Sequence, residues 1–371
     1  MSDNSLSAAL SGYTAYPTLK PQWKVRARGE EIRRFILADV EKHPKDVPVR
    51  TAEQFGITRQ AVNKHLHKLV IEGALVPAGK TRYRSYRLAA LSEWFKSYGI
   101  VPGLAEDQVW IHDVAPALGN LPQNVLDMWH FSFTEMFNNA VDHSGGSKII
   151  VQIARTAVNT QMLLMDDGIG IFKKIQTALN LLDERHAILE LAKGKLTTDP
   201  AKHTGQGIFF TSRLVDSFDI LSGGVFFTHT FGYEEDWILE RPQAQAGTAV
   251  FMKLNNHSSR TDKQIFDQFS SGEDYAFTKT VVPVKLAQYG EDKLISRSQA
   301  KRLLARVELF KSVWLNFEGV ETIGQAFADE IFRVFARSHP HIEIVPVNAN
   351  PQVQGMINAA RTQWANDVGG I

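Results

Sequence analysis

Apolar positions near the start of the chain recur with a helical period. Ile32, Phe35, Ile36 and Val40 follow this spacing, and the pattern stops before Pro44, because proline disfavours helix in the residue before it. A second, shorter helix fits residues 51–55, and Thr58 is a suitable N-cap for a third helix, which ends near Glu72. Residues 75–88 have the composition of two short strands. The predicted order is helix, helix, helix, hairpin.

This order and the segment TAEQFGITRQAVNKHLHKLVIEGAL resemble a winged helix-turn-helix. The resemblance implies binding of double-stranded DNA, with the third helix in the major groove and the hairpin over the phosphates. The expected DNA contacts are Arg59, Gln60, Asn63, Lys64 and His67 on the helix, and Lys80, Arg82, Arg84 and Arg87 on the hairpin, interleaved with Tyr83 and Tyr86. The alternative is a winged helix that serves only protein contacts or dimerisation.

Charge is distributed unevenly along the chain. Residues 1–100 hold 17 Lys and Arg against 9 Asp and Glu, whereas the remaining residues hold 24 against 31. A polyanion therefore suits the first hundred residues best. The 371 residues include no Cys, which excludes disulfides and thiolate chemistry and fits a reducing compartment. No apolar run reaches 18 residues, so we expect a cytoplasmic protein without a membrane partner.

The middle third contains polar residues that share one face of an otherwise apolar helix. Glu135, Asn139 and His143 stand four residues apart within FSFTEMFNNAVDHS, and burying them would be costly without a polar ligand. Two strand-like runs follow and end in DDGIG at residues 166–170. A second glycine turn, TGQGI at residues 204–208, opens another helix, whose N-terminus can hold phosphate oxygens.

These motifs, in this order, resemble the GHKL ATPase family from about residue 122 to residue 255. ExxxNAxxH matches its N box, DDGIG its G1 box and TGQGI its G2 box, and Gly247-Thr248 stands where the family makes its last adenine contact. The resemblance implies a Bergerat fold that binds ATP with Mg²⁺. A cofactor-binding set follows from it: Asn139, His143, Asp166, Gly168, Gly170, Thr204, Gly205, Gly207 and Thr248.

The resemblance also implies individual roles. Asn139 would coordinate Mg²⁺ through its amide oxygen. Asp166 would accept a hydrogen bond from the adenine amino group, assisted by Thr248. Glu135 would be the general base, unless it makes only a structural polar contact. His203 replaces the usual first glycine of the G2 box, which leaves turnover open.

Residues 172–202 would form the ATP lid. The segment carries Lys173, Lys174, Lys193, Lys195 and Lys202. Some of these could reach the phosphates, although we interpret most of them as belonging to a solvated lysine-rich helix.

The final third alternates strand-like and helical patterns, which indicates a small α/β domain. Ser296 is a suitable N-cap for its first helix. The segment VWLNFEGVETIGQAFADEIF resembles the STAS fold of anti-sigma antagonists. The loop that carries a phosphorylated serine in that family holds Gly324, Gln325 and Ala326 here, so the acceptor hydroxyl is missing, although Thr322 lies nearby.

The predicted fold class is a multidomain α+β protein made of a winged helix, a Bergerat-fold α/β sandwich and a small STAS-like α/β domain. The predicted divisions are an arm at 1–27, the winged helix at 28–90, a connector at 91–121, the ATP-binding domain at 122–257, a linker at 258–273 and the STAS-like domain at 274–371.

The predicted function is regulatory. Mg-ATP binding, with or without hydrolysis, would control the DNA-binding end and a protein partner of the C-terminal domain, because a ligand shifts an equilibrium by binding one conformation better than another. The alternatives are a serine kinase of the anti-sigma type and a nucleotide-sensing scaffold with little turnover. The long paired helices and phosphoacceptor histidine of a histidine kinase are not evident. The end modules could also form a homodimer.

Overall fold

The structure is a computed structural model that describes residues 27–80, 83–196, 205–232, 237–271, 276–288 and 293–368. The protein is mixed α+β. The chain divides into two compact units, Met1–Trp94 with Ile153–Thr160, and Phe95–Gln152 with Gln161–Ile371. The predicted arm lies outside the described residues, apart from its last position. No helix in the described ranges is long and apolar enough to cross a membrane.

The first unit has the predicted order of three helices and a hairpin. Its elements are α1 (Ala27–Asp39), α2 (Val47–Phe55), α3 (Arg59–Ile71), β1 (Leu75–Ala78) and β2 (Ser85–Leu88). The N-cap Thr58 accepts a hydrogen bond from the Ala61 N–H at 3.2 Å, as predicted. Helix α2 begins four residues before the predicted start, with Pro48 in its first turn, where proline costs no hydrogen bond. Ile36, Val62 and Leu66 lie at the centre of the core.

A five-stranded sheet with the order β3-β4-β5-β7-β6 supports the middle of the chain. Its strands are β3 (Ser92–Gly99), β4 (Lys148–Arg155), β5 (Asn159–Asp166), β6 (Ser217–Thr230) and β7 (Trp237–Asn255). Strands β6 and β7 are antiparallel, and their register shifts at Gly223. The segment predicted as a connector therefore supplies an edge strand, followed by the short helices α4 (Glu106–Val109) and α5 (Ala115–Leu118).

Four helices of the described residues pack on this part of the sheet, the first against β7 and the other three against β6. They are α6 (Gln123–His143), α7 (Ile171–Ala178), α8 (Glu184–Lys193) and α9 (Gly207–Leu214). Helix α6 buries Trp129, Phe133 and Phe137 completely, so its remaining face is free to carry polar residues.

The predicted linker at 258–273 contains a helix, α10 (Asp262–Phe269), and a two-residue strand, β8 (Ser270–Ser271). Helix α10 begins with a capping box between Thr261 and Gln264. Strand β8 pairs with β9 (Ala276–Phe277). The segment predicted as a linker therefore includes regular structure, which the sequence prediction did not specify.

The C-terminal region is a parallel sheet of order β10-β11-β12 with helices around it, in agreement with the predicted alternation. Its elements are β10 (Lys279–Pro283), α11 (Arg297–Leu304), β11 (Ser312–Asn316), α12 (Gln325–Asp329), α13 (Ala336–Ser338), β12 (Glu343–Val347) and α14 (Pro351–Val368). Ser296 caps α11 within a capping box, as predicted. The long helix α14 was not predicted.

Candidate functional site

A partly buried carboxylate, that of Asp166, stands at the end of β5. Asp166 Oδ1 accepts hydrogen bonds from the Gly168 N–H at 2.9 Å and from the Thr248 N–H at 3.3 Å. Burial raises the pKa of Asp166, against the effect of these two donors. A carboxylate oxygen desolvated in this way is suited to accept a hydrogen bond from a ligand amino group.

The neighbouring Asp167 makes contacts of a different kind. Its carboxylate accepts hydrogen bonds from the Ser147 N–H and hydroxyl, both at 2.6 Å, and from the Lys148 N–H at 3.0 Å. These donors lower the pKa of Asp167 to about 2. Asp167 therefore ties β5 to the start of β4, whereas Asp166 lines a cavity.

Three glycines around Asp166 stand where a side chain would not fit. A Cβ on Gly168 would lie 2.2 Å from the Ser144 carbonyl oxygen, and one on Gly170 would lie 2.7 Å from Ser222 Oγ. Gly247 has φ +78°, and a Cβ there would lie 1.9 Å from the carbonyl oxygen of Asp166. The backbone packs closely here because these positions lack side chains.

The cavity of about 290 Å³ brings most of the predicted cofactor-binding set together. Its lining includes Glu135, Asn139, His143, Asp166, Gly205, Gly207 and Thr248. The helix face predicted from residues 135, 139 and 143 thus faces the end of β5. Gly168 and Gly170 are not among the lining residues but shape the turn beside it. Thr204, His203 and Lys202 lie outside the described residues.

Glycine 207 allows α9 to approach α6 closely. A Cβ on Gly207 would lie 2.0 Å from Glu135 Oε2, so a larger residue there would displace this carboxylate. Glu135 also lines a second cavity of about 450 Å³, together with Phe131, Gln206 and Phe266. Glu135 thus borders two cavities.

The lysines of residues 172–202 have different positions. Lys174 lines the cavity and donates to the His143 carbonyl at 2.6 Å, and Lys173 is exposed. Lys193 is 1% exposed and so is not one of the solvated lysines expected for most of this segment. Lys195 donates to the Leu309 carbonyl at 2.7 Å, against two aromatic rings. The contacts of Lys193 and Lys195 with the C-terminal region were not predicted from the sequence.

The cavity fits the chemistry of the implied cofactors. Its volume is close to the lower end of the usual range for small-molecule pockets, about 300–1,000 Å³. Among the residues that the structure describes, no cluster of three or more His, Asp or Glu could hold a metal ion. Asn139 offers one amide oxygen, which suits Mg²⁺ that keeps phosphate oxygens and waters as its other ligands.

The residues predicted to contact DNA are all exposed where they are described. They are Arg59, Gln60, Asn63, Lys64 and His67 on α3, and Lys80, Arg84 and Arg87 in the hairpin region. Arg82 lies outside the described residues. Tyr83 is exposed, but Tyr86 is buried in the core, so the prediction that it interleaves with the basic side chains on the surface is wrong.

The serine-less loop of the C-terminal region is held tightly. The Gly324 N–H donates to the Leu294 carbonyl at 2.7 Å, and a Cβ on Gly324 would lie 2.7 Å from the Ile295 Cα. Gln325 and Ala326 begin α12.

Residues 299–354 match a family described as a STAS-like domain of unknown function (DUF4325). The match covers most of α11, the strands β11 and β12 and the start of α14, and it confirms the STAS-like prediction for the C-terminal region. No curated protein matches the chain.

Proposed function

We propose that this protein is an ATP-binding regulator in which Mg-ATP, bound by a GHKL-type Bergerat domain, controls a DNA-binding winged helix and the STAS-like domain. The observation that carries the proposal is that residues of three sequence motifs line one cavity. Glu135 and Asn139 come from the first motif and Asp166 from the second. The third motif contributes Gly205 and Gly207. Motifs separated along the chain converge on one cavity when they serve one ligand.

The contacts of Asp166 support an adenine position at the end of β5. Oδ1 accepts from two backbone N–H groups, and within the described part of the chain no donor is seen at Oδ2, so Oδ2 would accept from the adenine amino group. Thr248 Oγ1 accepts from the Ile171 N–H at 3.0 Å and lies 3.5 Å from Ser222 Oγ, and its hydroxyl proton would turn from that long contact to a ring nitrogen or a bridging water. The N-terminus of α9, at Gly207, would then lie toward the phosphates.

The exposed basic face of α3 supports duplex DNA as the regulated partner. Arg59 and Lys64 are exposed, and Lys and Arg neutralise phosphates in a way that depends steeply on salt. Regulation requires ATP to bind one conformation of the protein better than another.

Duplex DNA affinity is expected to differ at least about 5-fold between the ATP-bound and nucleotide-free protein, the lower end of ordinary allosteric coupling. Fluorescence anisotropy at fixed salt measures the DNA affinity with ATP, with ADP and without nucleotide. Arg59→Ala/Lys64→Ala should weaken DNA binding and flatten its salt dependence, whereas Lys42→Ala, at an exposed lysine between α1 and α2, should not. Equal DNA affinity in all three nucleotide states would refute the coupling.

A second candidate function is phosphoryl transfer to a hydroxyl of a separate protein. The second cavity at Glu135 favours it, because a general base on a residue that borders two cavities would meet ATP on one side and an acceptor on the other. Labelled ATP with cell extract should then label a protein band that disappears with Glu135→Gln. A steady release of phosphate from ATP with no labelled band would indicate hydrolysis instead.

A further inference from the structure

Helix α8 carries a buried ion pair that the nucleotide chemistry does not use. Lys193 Nζ lies 2.7 Å from Glu190 Oε1, one helical turn away, and the two side chains are 2% and 5% exposed. The same ammonium donates to the carbonyls of Ala305 at 2.7 Å and Arg302 at 3.1 Å. All three ammonium hydrogens thus have acceptors, two of them on the C-terminal domain.

Arg306 completes this cluster from the C-terminal domain. Its guanidinium donates to the Lys195 carbonyl at 2.7 Å and to Glu190 Oε2 at 3.4 Å. Arg306 has φ +62°, a left-handed conformation that costs a non-glycine residue energy. Strained backbone persists where the surrounding contacts hold it, and here it directs the guanidinium to Glu190.

Further contacts hold the end of α8 and the residues after it against the C-terminal domain. The Thr280 hydroxyl, on β10, donates to the Lys193 carbonyl at 2.6 Å. Lys195 Nζ donates to the Leu309 carbonyl at 2.7 Å and lies over the Phe310 ring at 4.6 Å from its centroid. The end of α8 is therefore held by the C-terminal domain through side chains and backbone alike.

The segment held in this way is also a wall of the cavity. Leu191 and Leu196, on either side of Lys193, line the cavity, and so does Gly205. The Leu196 N–H donates to the Gly205 carbonyl at 3.0 Å, which joins the end of this segment to the turn before α9.

We propose that Lys193, Glu190 and Arg306 are positioning residues through which the C-terminal domain holds one wall of the nucleotide site. The nucleotide part of this inference rests on the proposed function. We call these three residues and their contacts the anchor. Loss of the anchor would loosen the wall and weaken nucleotide binding. By reciprocity, nucleotide binding must tighten the anchor.

The anchor is tested first without nucleotide, by amide hydrogen exchange on the full chain. In Lys193→Met we expect residues 184–196 to exchange at least about 10-fold faster, because one partner of a buried pair is left alone. Arg306→Gly is the second variant, since glycine adopts the left-handed conformation without strain and only the guanidinium contacts are lost. Lys301→Met, at an exposed lysine of α11, is the control and should leave the segment unchanged. Unchanged exchange in both anchor variants would overturn the proposal.

ATP binding by calorimetry gives the second arm. We expect Lys193→Met and Arg306→Gly to lower ATP affinity at least about 10-fold and Lys301→Met to leave it as in the wild type. In the wild type, ATP should slow exchange at residues 302–309. Wild-type affinity in both anchor variants would overturn the proposal, whereas a wild type that binds no ATP would refute the proposed function and leave the exchange result to decide whether the anchor exists.

Discussion

Asp166→Asn is expected to weaken ATP binding about 10- to 100-fold while the protein stays folded. The amide oxygen can take the place of Oδ1 and still accept from the Gly168 and Thr248 N–H groups. The amide nitrogen then replaces Oδ2 and turns a donor toward the adenine amino group. A hydrogen bond to a charged group contributes about 1.5–3 kcal/mol, which corresponds to this loss of affinity. Calorimetry with Mg-ATP measures it.

The matched control is Asp167→Asn. This neighbour has the same side chain, but its carboxylate bonds to Ser147 and Lys148, away from the cavity. We expect the control to bind ATP as the wild type does, with a lower melting temperature. Equal affinity of the wild type and Asp166→Asn would rule out the adenine contact at this carboxylate.

Gly247→Ala is expected to lower the free energy of unfolding by at least about 3 kcal/mol and to abolish ATP binding. The added methyl would lie 1.9 Å from the carbonyl oxygen of Asp166, a backbone atom that cannot move without displacing the end of β5. Losses of this size come from steric conflict in tightly packed regions. Urea unfolding measures the change in stability.

Gly145→Ala separates this steric conflict from the cost of left-handed backbone. Gly145 has φ +66°, close to the +78° of Gly247, but a methyl group added there would meet no other atom of the described residues within 4 Å. The control should therefore lose only about 1–2 kcal/mol. Equal losses in the two variants would show that backbone conformation alone accounts for the requirement at Gly247.

Local patterns in the sequence were sufficient to predict the elements that form the cavity. Glu135, Asn139 and His143 share a face of α6 because their spacing matches the helical period, and Asp166 ends β5 because an apolar run stops there. The close packing of Gly168 against Ser144 and of Gly247 against Asp166 depends on contacts between separate segments. In the sequence, only the presence of these glycines indicated it.

Elements that depend on distant partners were not predictable in the same way. Strand β3 is mostly exposed and polar, as an edge strand can be, so it lacks the apolar alternation of a half-buried strand. The acceptors of Lys193 on the C-terminal domain are more than one hundred residues away, and nothing near it in the sequence identifies them. Helix α10 did carry a local signal, the capping box at Thr261 and Gln264, which the linker prediction did not take into account.

The edge position of β3 has a practical consequence for dissecting the protein. A recombinant fragment that starts at residue 122 would remove β3 and uncover the hydrogen-bonding groups of β4. Strand β4 buries Ile149, Val151 and Ile153, and an apolar strand with an open edge is a template for intermolecular pairing. Such a fragment should precipitate, whereas one that starts before Ser92 keeps the edge covered by the molecule's own strand.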